Sequence, residues 1–239
     1  MTTWGRHLYE HDPLAIAKGE VNDYQVRNIA GYQESVSTTF IPTWAYATVY
    51  TYPTSAVTMD VASTDTVNDN GYIVRIVGLD ADYKIISEDV TIPATTTKSF
   101  YRINDVLFFN TDGNQGLITV SNGGTVYAAI RAGDGKNQAS FFTVPAGYSF
   151  YLYRIDAFSN DTTSGKTGLF RNVYVNNLGH FFTVSRTTFS NTMNIVHSLP
   201  LKYFEKTDVQ FQVRTGQGTH EMNIYAEGVL AKNIVRGEP

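Results

Sequence analysis

Cysteine is missing from all 239 residues of this chain, which excludes disulfides, thiolate metal ligands and cysteine nucleophiles together. Stability has to come from burial, within the chain or against other chains. Charge is scarce too: Asp, Glu, Lys and Arg make up 17% of the sequence, against about 25% in an average soluble domain. The net charge is -4 and no block of like charges occurs. A reader of nucleic-acid duplexes neutralises several phosphates with a basic stripe, so no nucleic-acid partner is expected, although a folded surface can still gather scattered Lys and Arg. The opening Met1-Thr2-Thr3-Trp4-Gly5-Arg6-His7 has no apolar run behind a basic start, so no signal peptide is indicated. No stretch approaches the roughly 18 apolar residues of a membrane-spanning helix. The expectation is a soluble protein made in a cytoplasm, with no membrane partner.

Catalytic constellations are equally hard to find. Ser164-Gly165-Lys166-Thr167 has the end of a phosphate-binding loop, but Asn160 stands where the motif needs its first glycine. Leu169 to Val175 reads as a strand, so no helix N-terminus would aim amides at a phosphate. His7 and His11 have the i, i+4 spacing of zinc ligands, yet Asp12-Pro13 closes the segment at once. Asp65 to Gly71 and Asp112 to Gly116 resemble pieces of calcium loops without the regular oxygen spacing or the closing Glu; Asp, Asn and Gly account for them as turns. Asp80, Asp82, Glu88, Asp89 and Asp156 supply carboxylates, with no pair marked for glycosidase chemistry. No enzyme activity, cofactor or metal site is expected.

What the chain has in quantity is aromatic residues, 16 Tyr and 14 Phe, with both tryptophans near the N-terminus. Residues 1–52 hold Trp4, Tyr9, Tyr24, Tyr32 and Trp44 and show neither a 3.6 nor a 2 period until about Ser35. One helical turn fits Leu14 to Gly19. The rest reads as an extended, anchored arm, its aromatics arguing against disorder. From Ser55 the pattern becomes alternation: Val57 to Val61, Tyr72 to Val77, Tyr83 to Ile92 and Ser99 to Phe109. Leu117–Val120 and Thr125–Ile130 flank Ser121-Asn122-Gly123-Gly124, where Asn-Gly predicts a type I′ hairpin. The Gly-rich stretch Arg131–Asn137 is the best internal boundary. Strands follow at Ala139–Val144, Tyr148–Ser159, Leu169–Val175, His180–Arg186, Val209–Thr215 and Glu221–Leu230. The fold class predicted is all-β. Two antiparallel β-sandwich or jelly-roll-like domains, residues 53–134 and 135–239, are expected behind the arm of residues 1–52.

Several phrases along these strands form an ordered set: Ile76-Val77-Gly78-Leu79-Asp80-Ala81-Asp82-Tyr83, Ile86-Ser87-Glu88-Asp89-Val90-Thr91-Ile92, Leu117-Ile118-Thr119-Val120-Ser121, Phe142-Thr143-Val144-Pro145-Ala146-Gly147 and Leu201 to Asp208. In this order, over residues 55 to 230, the chain resembles a family of structural virion proteins from marine tailed bacteriophages, including short-tailed cyanophage-like viruses. The resemblance implies a virion component with no catalytic residues, assembled in the host cytoplasm. Its partners would be copies of itself, as a homo-oligomer, and other virion proteins of the capsid, portal or tail. It would decorate or cement the head or form part of the neck or tail. Arms often lash such assemblies together, and Tyr and Trp give large contact area on few rotatable bonds. Trp4, Tyr9, Tyr24, Tyr32 and Trp44 are therefore the candidate interface anchors. The alternative is a tail-associated module that binds host-surface carbohydrate; an exposed aromatic cluster on loops of the C-terminal domain would favour it, whereas aromatics concentrated in the arm, where both tryptophans lie, favour assembly.

Overall fold

The computed structural model describes residues 13–46, 49–160 and 167–233. Trp4, Tyr9, His7 and His11 lie outside the described residues, as does most of the Ser164–Thr167 motif. Helix is confined, among the described residues, to the turn α1 (Pro13–Ala17), stopped by Gly19 in the left-handed region at φ 73°. All other regular structure is strand, so the fold is all-β.

Two strands, β1 (Tyr24–Val36) and β2 (Ile41–Pro42), come first in the chain. Seven more then close a core of their own: β3 (Asp60–Ser63), β4 (Ile73–Leu79), β5 (Ile85–Thr91), β6 (Ala94–Thr95), β7 (Arg102–Phe109), β8 (Ile118–Asn122) and β9 (Thr125–Ile130). They form a sheet ordered β6-β3-β8-β9 and another ordered β5-β4-β7. Alternate residues such as Val61, Val74, Ile76, Val106, Ile118 and Val120 turn inward around Met59 and Phe100, the period-2 signal of a half-buried strand. In the β8–β9 hairpin Asn122 pairs with Thr125, and the positive φ angles fall on Gly123 and Gly124 (55° and 81°). The turn is therefore Gly-Gly, one residue later than the Asn-Gly expected from sequence; glycine takes that conformation without steric cost.

The second sandwich gathers the remaining strands: β10 (Phe141–Thr143), β11 (Tyr148–Ser159), β12 (Gly168–Val175), β13 (Phe181–Phe189), β14 (Thr192–Tyr203), β15 (Asp208–Thr215) and β16 (His220–Lys232). One of its sheets runs β1-β16-β11-β14, the other β10-β15-β12-β13 with β2 also paired to β15. Phe150, Leu152, Ile155, Ile224 and Leu230 from the first sheet face Phe142, Phe170, Val209, Phe211 and Val213 from the second.

Residues 24–44 thus differ from the arm expected of them. Strand β1 is antiparallel to β16 from Tyr24↔Ala231 to Val36↔His220, and Ile29 and Val36 enter the core. The sandwich of β3–β9 is an insertion between β2 and β10 of the other. Regular alternation is weak in β1 because two of its buried positions are Gly31 and Gln33. Gly31 is fixed by space: a Cβ there would sit 2.3 Å from Thr43 Oγ1 and 2.5 Å from the Ser140 backbone nitrogen. The Gly-rich boundary at 131–137 is not a free linker. It lies along β7, with Phe108 N–H donating to the Gly135 carbonyl (2.8 Å) and Val106 N–H to Asn137 Oδ1 (2.7 Å).

Candidate interaction surfaces

A buried clamp joins the two sandwiches. Trp44, Tyr50 and Phe141 form a small aromatic core with Tyr46 and Tyr52 around it; Tyr50 stacks on Phe141 at 3.8 Å and meets Trp44 edge-on at 5.2 Å. Beside it, Arg102 of β7 grips Asp208 of β15 through two parallel bonds of 2.9 Å, the bidentate fork that suits a guanidinium to a carboxylate. Arg102 also donates to the carbonyls of Pro53 and Tyr101, and Asp208 accepts from Thr143 Oγ1. Burial acts to lower the Arg102 pKa, but the Asp208 carboxylate outweighs it and holds the group charged. Burial raises the Tyr50 and Tyr52 hydroxyls well above their ordinary range.

Of the expected anchors, Trp44 is 2% exposed and spent inside this clamp. Tyr32 is spent within the chain as well. Arg131, at the end of the inserted sandwich, lies 3.7 Å over its ring and pairs with Glu34 at 2.7 Å. Tyr24 is the described anchor that faces an open surface.

That surface is the flank where the second sandwich ends in β13 and β14, the last strands of their two sheets. Among the described residues both leave their outer backbone edge unpaired. Natural edges are usually blunted with charge, yet Arg186 and Lys202 are the only permanently charged residues in these two strands. Between Leu152↔Leu201 and Arg154↔Val196 the register jumps, so His197, Ser198, Leu199 and Pro200 bulge outward opposite Tyr153 alone. Leu199 stands at the tip of this bulge, 82% exposed, with Val196 67% exposed at its base.

Next to the knob lies a groove of about 1210 Å³. Tyr24, Tyr151, Tyr153, Tyr174, Phe182 and Phe204 supply its aromatic walls, and Asn176, Asn177, Lys202 and Glu205 its polar rim. Tyr174 and Phe182 stack at 4.9 Å, and the Lys202 ammonium lies 4.9 Å from the Phe204 ring. Sequence reading missed this cluster because its members are spread over five segments, from Tyr24 to Phe204, that only the sheet order brings together. The short aromatic pairs Phe181-Phe182 and Tyr203-Phe204 were the available signal.

The carboxylates considered for catalysis are committed elsewhere. Asp80 caps the amides of Asp82 and Lys84, Glu88 those of Thr97 and Lys98. Asp89 pairs with Arg75, and Asp156 with Arg154 and Asn194. Asp69 accepts from the Gln115 and Gly116 amides and from Ser63, which makes 65–71 a pinned turn. Among the described residues no group of three or more His, Asp or Glu converges as a metal site would require. Thr167, the described end of the Gly-Lys-Thr sequence, is followed by strand β12 and accepts from the Gly216 amide.

No protein-family model matches the chain, and no curated protein matches it. Among solved structures, the chain is similar at 9% identity to the protein of T=1 particles derived from infectious bursal virus, with a TM-score of 0.21 over 90% of this chain and 75% of that one. It is also similar, at 9% identity and a TM-score of 0.20, to VP2 of the infectious bursal disease virus subviral particle, over 89% of this chain and 78% of that one. Likenesses this distant carry no weight for the function of the chain.

Proposed function

We propose that this chain is a non-enzymatic structural component of a tailed-phage particle, decorating or cementing the head or forming part of the neck or tail, and that it works by contact with other copies of itself along the β13/β14 flank. The ordered phrases at residues 76–83, 86–92, 117–121, 142–147 and 201–208 supply the viral half of this reading. The observation that carries the assembly half is the pairing of a protruding apolar knob, Val196 and Leu199, with an aromatic groove on the same flank. A knob and a groove on one surface allow a second copy to bury both, and the free edges of β13 and β14 add backbone hydrogen bonds to such a contact. Exposed apolar edges of this kind mark interaction sites. The Arg102–Asp208 clamp fits the same role, since it fixes the inserted sandwich as a rigid part of the building block.

Sedimentation velocity of the full chain over a concentration series tests this. The expected result is reversible self-association that Leu199→Asp abolishes while the melting temperature stays unchanged, because Leu199 is 82% exposed in its own chain. A wild-type chain that stays monomeric at its highest soluble concentration overturns the proposal.

A second reading, binding of host-surface carbohydrate, is favoured by one observation. The exposed aromatic cluster lies on the C-terminal sandwich while Trp44 is buried, and rings beside Asn176 and Asn177 suit the apolar face and hydroxyls of a sugar. Saturable quenching of tyrosine fluorescence by oligosaccharides, lost in Tyr151→Ala, would favour it over assembly.

A further inference from the structure

Three arginines from neighbouring strands meet on the outer face of the β10-β15-β12-β13 sheet: Arg214 on β15, Arg171 on β12 and Arg186 on β13. Their chain neighbours Phe170, Asn172 and Val213 point into the core, which places the arginines on the opposite face. Arg171 and Arg186 lie directly across from each other. All three guanidinium groups gather on one ring, with their central carbons 4.3, 5.0 and 5.6 Å from the Phe40 centroid for Arg171, Arg214 and Arg186. Phe181 stands 5.7 Å from Arg171 on the same face.

What sets the cluster apart is the lack of a counter-charge. The other described arginines, Arg27, Arg75, Arg102, Arg131 and Arg154, each pair with a carboxylate. Arg171, Arg186 and Arg214 have none among the described residues; Arg171 donates to Gln212 Oε1 at 2.7 Å and Arg214 to the Thr38 carbonyl at 3.3 Å. Arg214 Nε is buried with no acceptor among the described residues. Burial, then the charges of Arg186 and Arg214, push the Arg171 pKa below its ordinary value. Like charges placed directly opposite on a sheet destabilise it. A chain with net charge -4 has acids enough to neutralise the site, yet none of the described acids pairs with these arginines.

We propose that the Arg171–Arg186–Arg214 cluster on Phe40 is a docking site for an acidic segment of a partner protein, whose carboxylates accept the forked N–H groups of the arginines. This inference rests on the reading that the chain works by protein–protein contact. The composition argues for a polypeptide over a polyanionic glycan or a duplex. The patch is compact, with arginine beside Phe and Gln and no lysine, as at the centres of protein interfaces, whereas long polyanions are tracked by extended stripes. The net negative charge of the chain also repels a long polyanion more than a short acidic segment.

The test titrates a fluorescein-labelled hexaglutamate peptide into the full chain at low salt, followed by anisotropy. Saturable binding is expected, weakening as salt rises and falling by at least about tenfold in Arg186→Gln/Arg214→Gln. The melting temperature of that variant should hold or rise, since it removes like-charge opposition. Leu199→Asp should bind the peptide normally, which separates failure of this site from failure of the self-association flank. Absence of saturable binding, equal binding by the arginine variant, or tighter binding of a heparin hexasaccharide or a DNA duplex at the same arginines would overturn the inference.

Discussion

Asp208→Asn should cost this protein a large part of its stability, because it leaves Arg102 charged and enclosed between the two sandwiches. Both side chains are almost fully buried, at 7% and 9% exposure, and Arg102 stays inside a cage of the Tyr52, Tyr101 and Tyr83 rings. Removing one partner of such a pair costs about 3–5 kcal/mol, most of it the uncompensated charge left behind. The Asn amide oxygen keeps one acceptor for Arg102, which puts the expected loss near the lower end, about 3 kcal/mol. For a chain of this length that is a fall in melting temperature of about 6–12 °C. Urea unfolding followed by circular dichroism and by tryptophan fluorescence reads it, the latter because Trp44 sits in the same junction. Replacing both partners with apolar residues, Arg102→Met/Asp208→Leu, should recover most of the loss, since a buried pair is close to neutral against hydrophobic residues of similar volume. A loss below about 1 kcal/mol for Asp208→Asn, typical of solvent-exposed pairs, would refute the argument that this clamp holds the two sandwiches together.

Other expectations follow from single features. Gly31→Ala must push the chain off Thr43 and the Ser140 backbone and should destabilise by about 1–3 kcal/mol, as overpacking does; an unchanged denaturation midpoint would contradict the close approach. Deleting residues 1–45 removes β1, β2 and Trp44 together and should unfold the second sandwich while leaving the inserted one, so a truncated protein that keeps a single full-size transition would be against the topology. Stability should also fall in alkali. Burial raises Tyr83 to about 12 and lifts Tyr50, Tyr52 and Tyr203 as well, so the folded state holds its phenolic protons more tightly than the unfolded chain does. That contribution is complete below about pH 10, the unfolded value, and is lost as pH rises from there through the folded values. Melting temperatures flat from pH 9 to 11, with all tyrosines ionising near pH 10 by absorbance, would contradict it.

The strands of the inserted sandwich were legible because residues such as Val74, Ile76, Ile118 and Val120 alternate with polar neighbours around a two-sided core. Strand β1 was not, because two of its inward positions carry Gly31, where the chain passes so close to Thr43 and Ser140 that no side chain fits, and the polar Gln33. With β1 hidden, the N-terminal aromatics read as anchors for a partner. In the fold, Trp44 packs with Phe141 in a core that Val126 of the inserted sandwich also joins, and Tyr32 lies under Arg131 at the end of that sandwich, partners remote in sequence. The Arg171–Arg186–Arg214 cluster was invisible for a related reason: one basic residue per strand makes no run in sequence, and only the β15-β12-β13 order assembles them. Long-range pairing, which local pattern does not encode, decided both.

If this chain meets its neighbours along the β13/β14 flank, as proposed, hydrogen exchange reads the contact strand by strand. Amides of Phe181–Phe189 and Thr192–Tyr203 should exchange fast in dilute protein, as edge strands do, and slow markedly at concentrations where the chain self-associates, with the inserted sandwich unchanged. Self-association that protects other segments and leaves these two strands exchanging as before would place the contact elsewhere on the molecule.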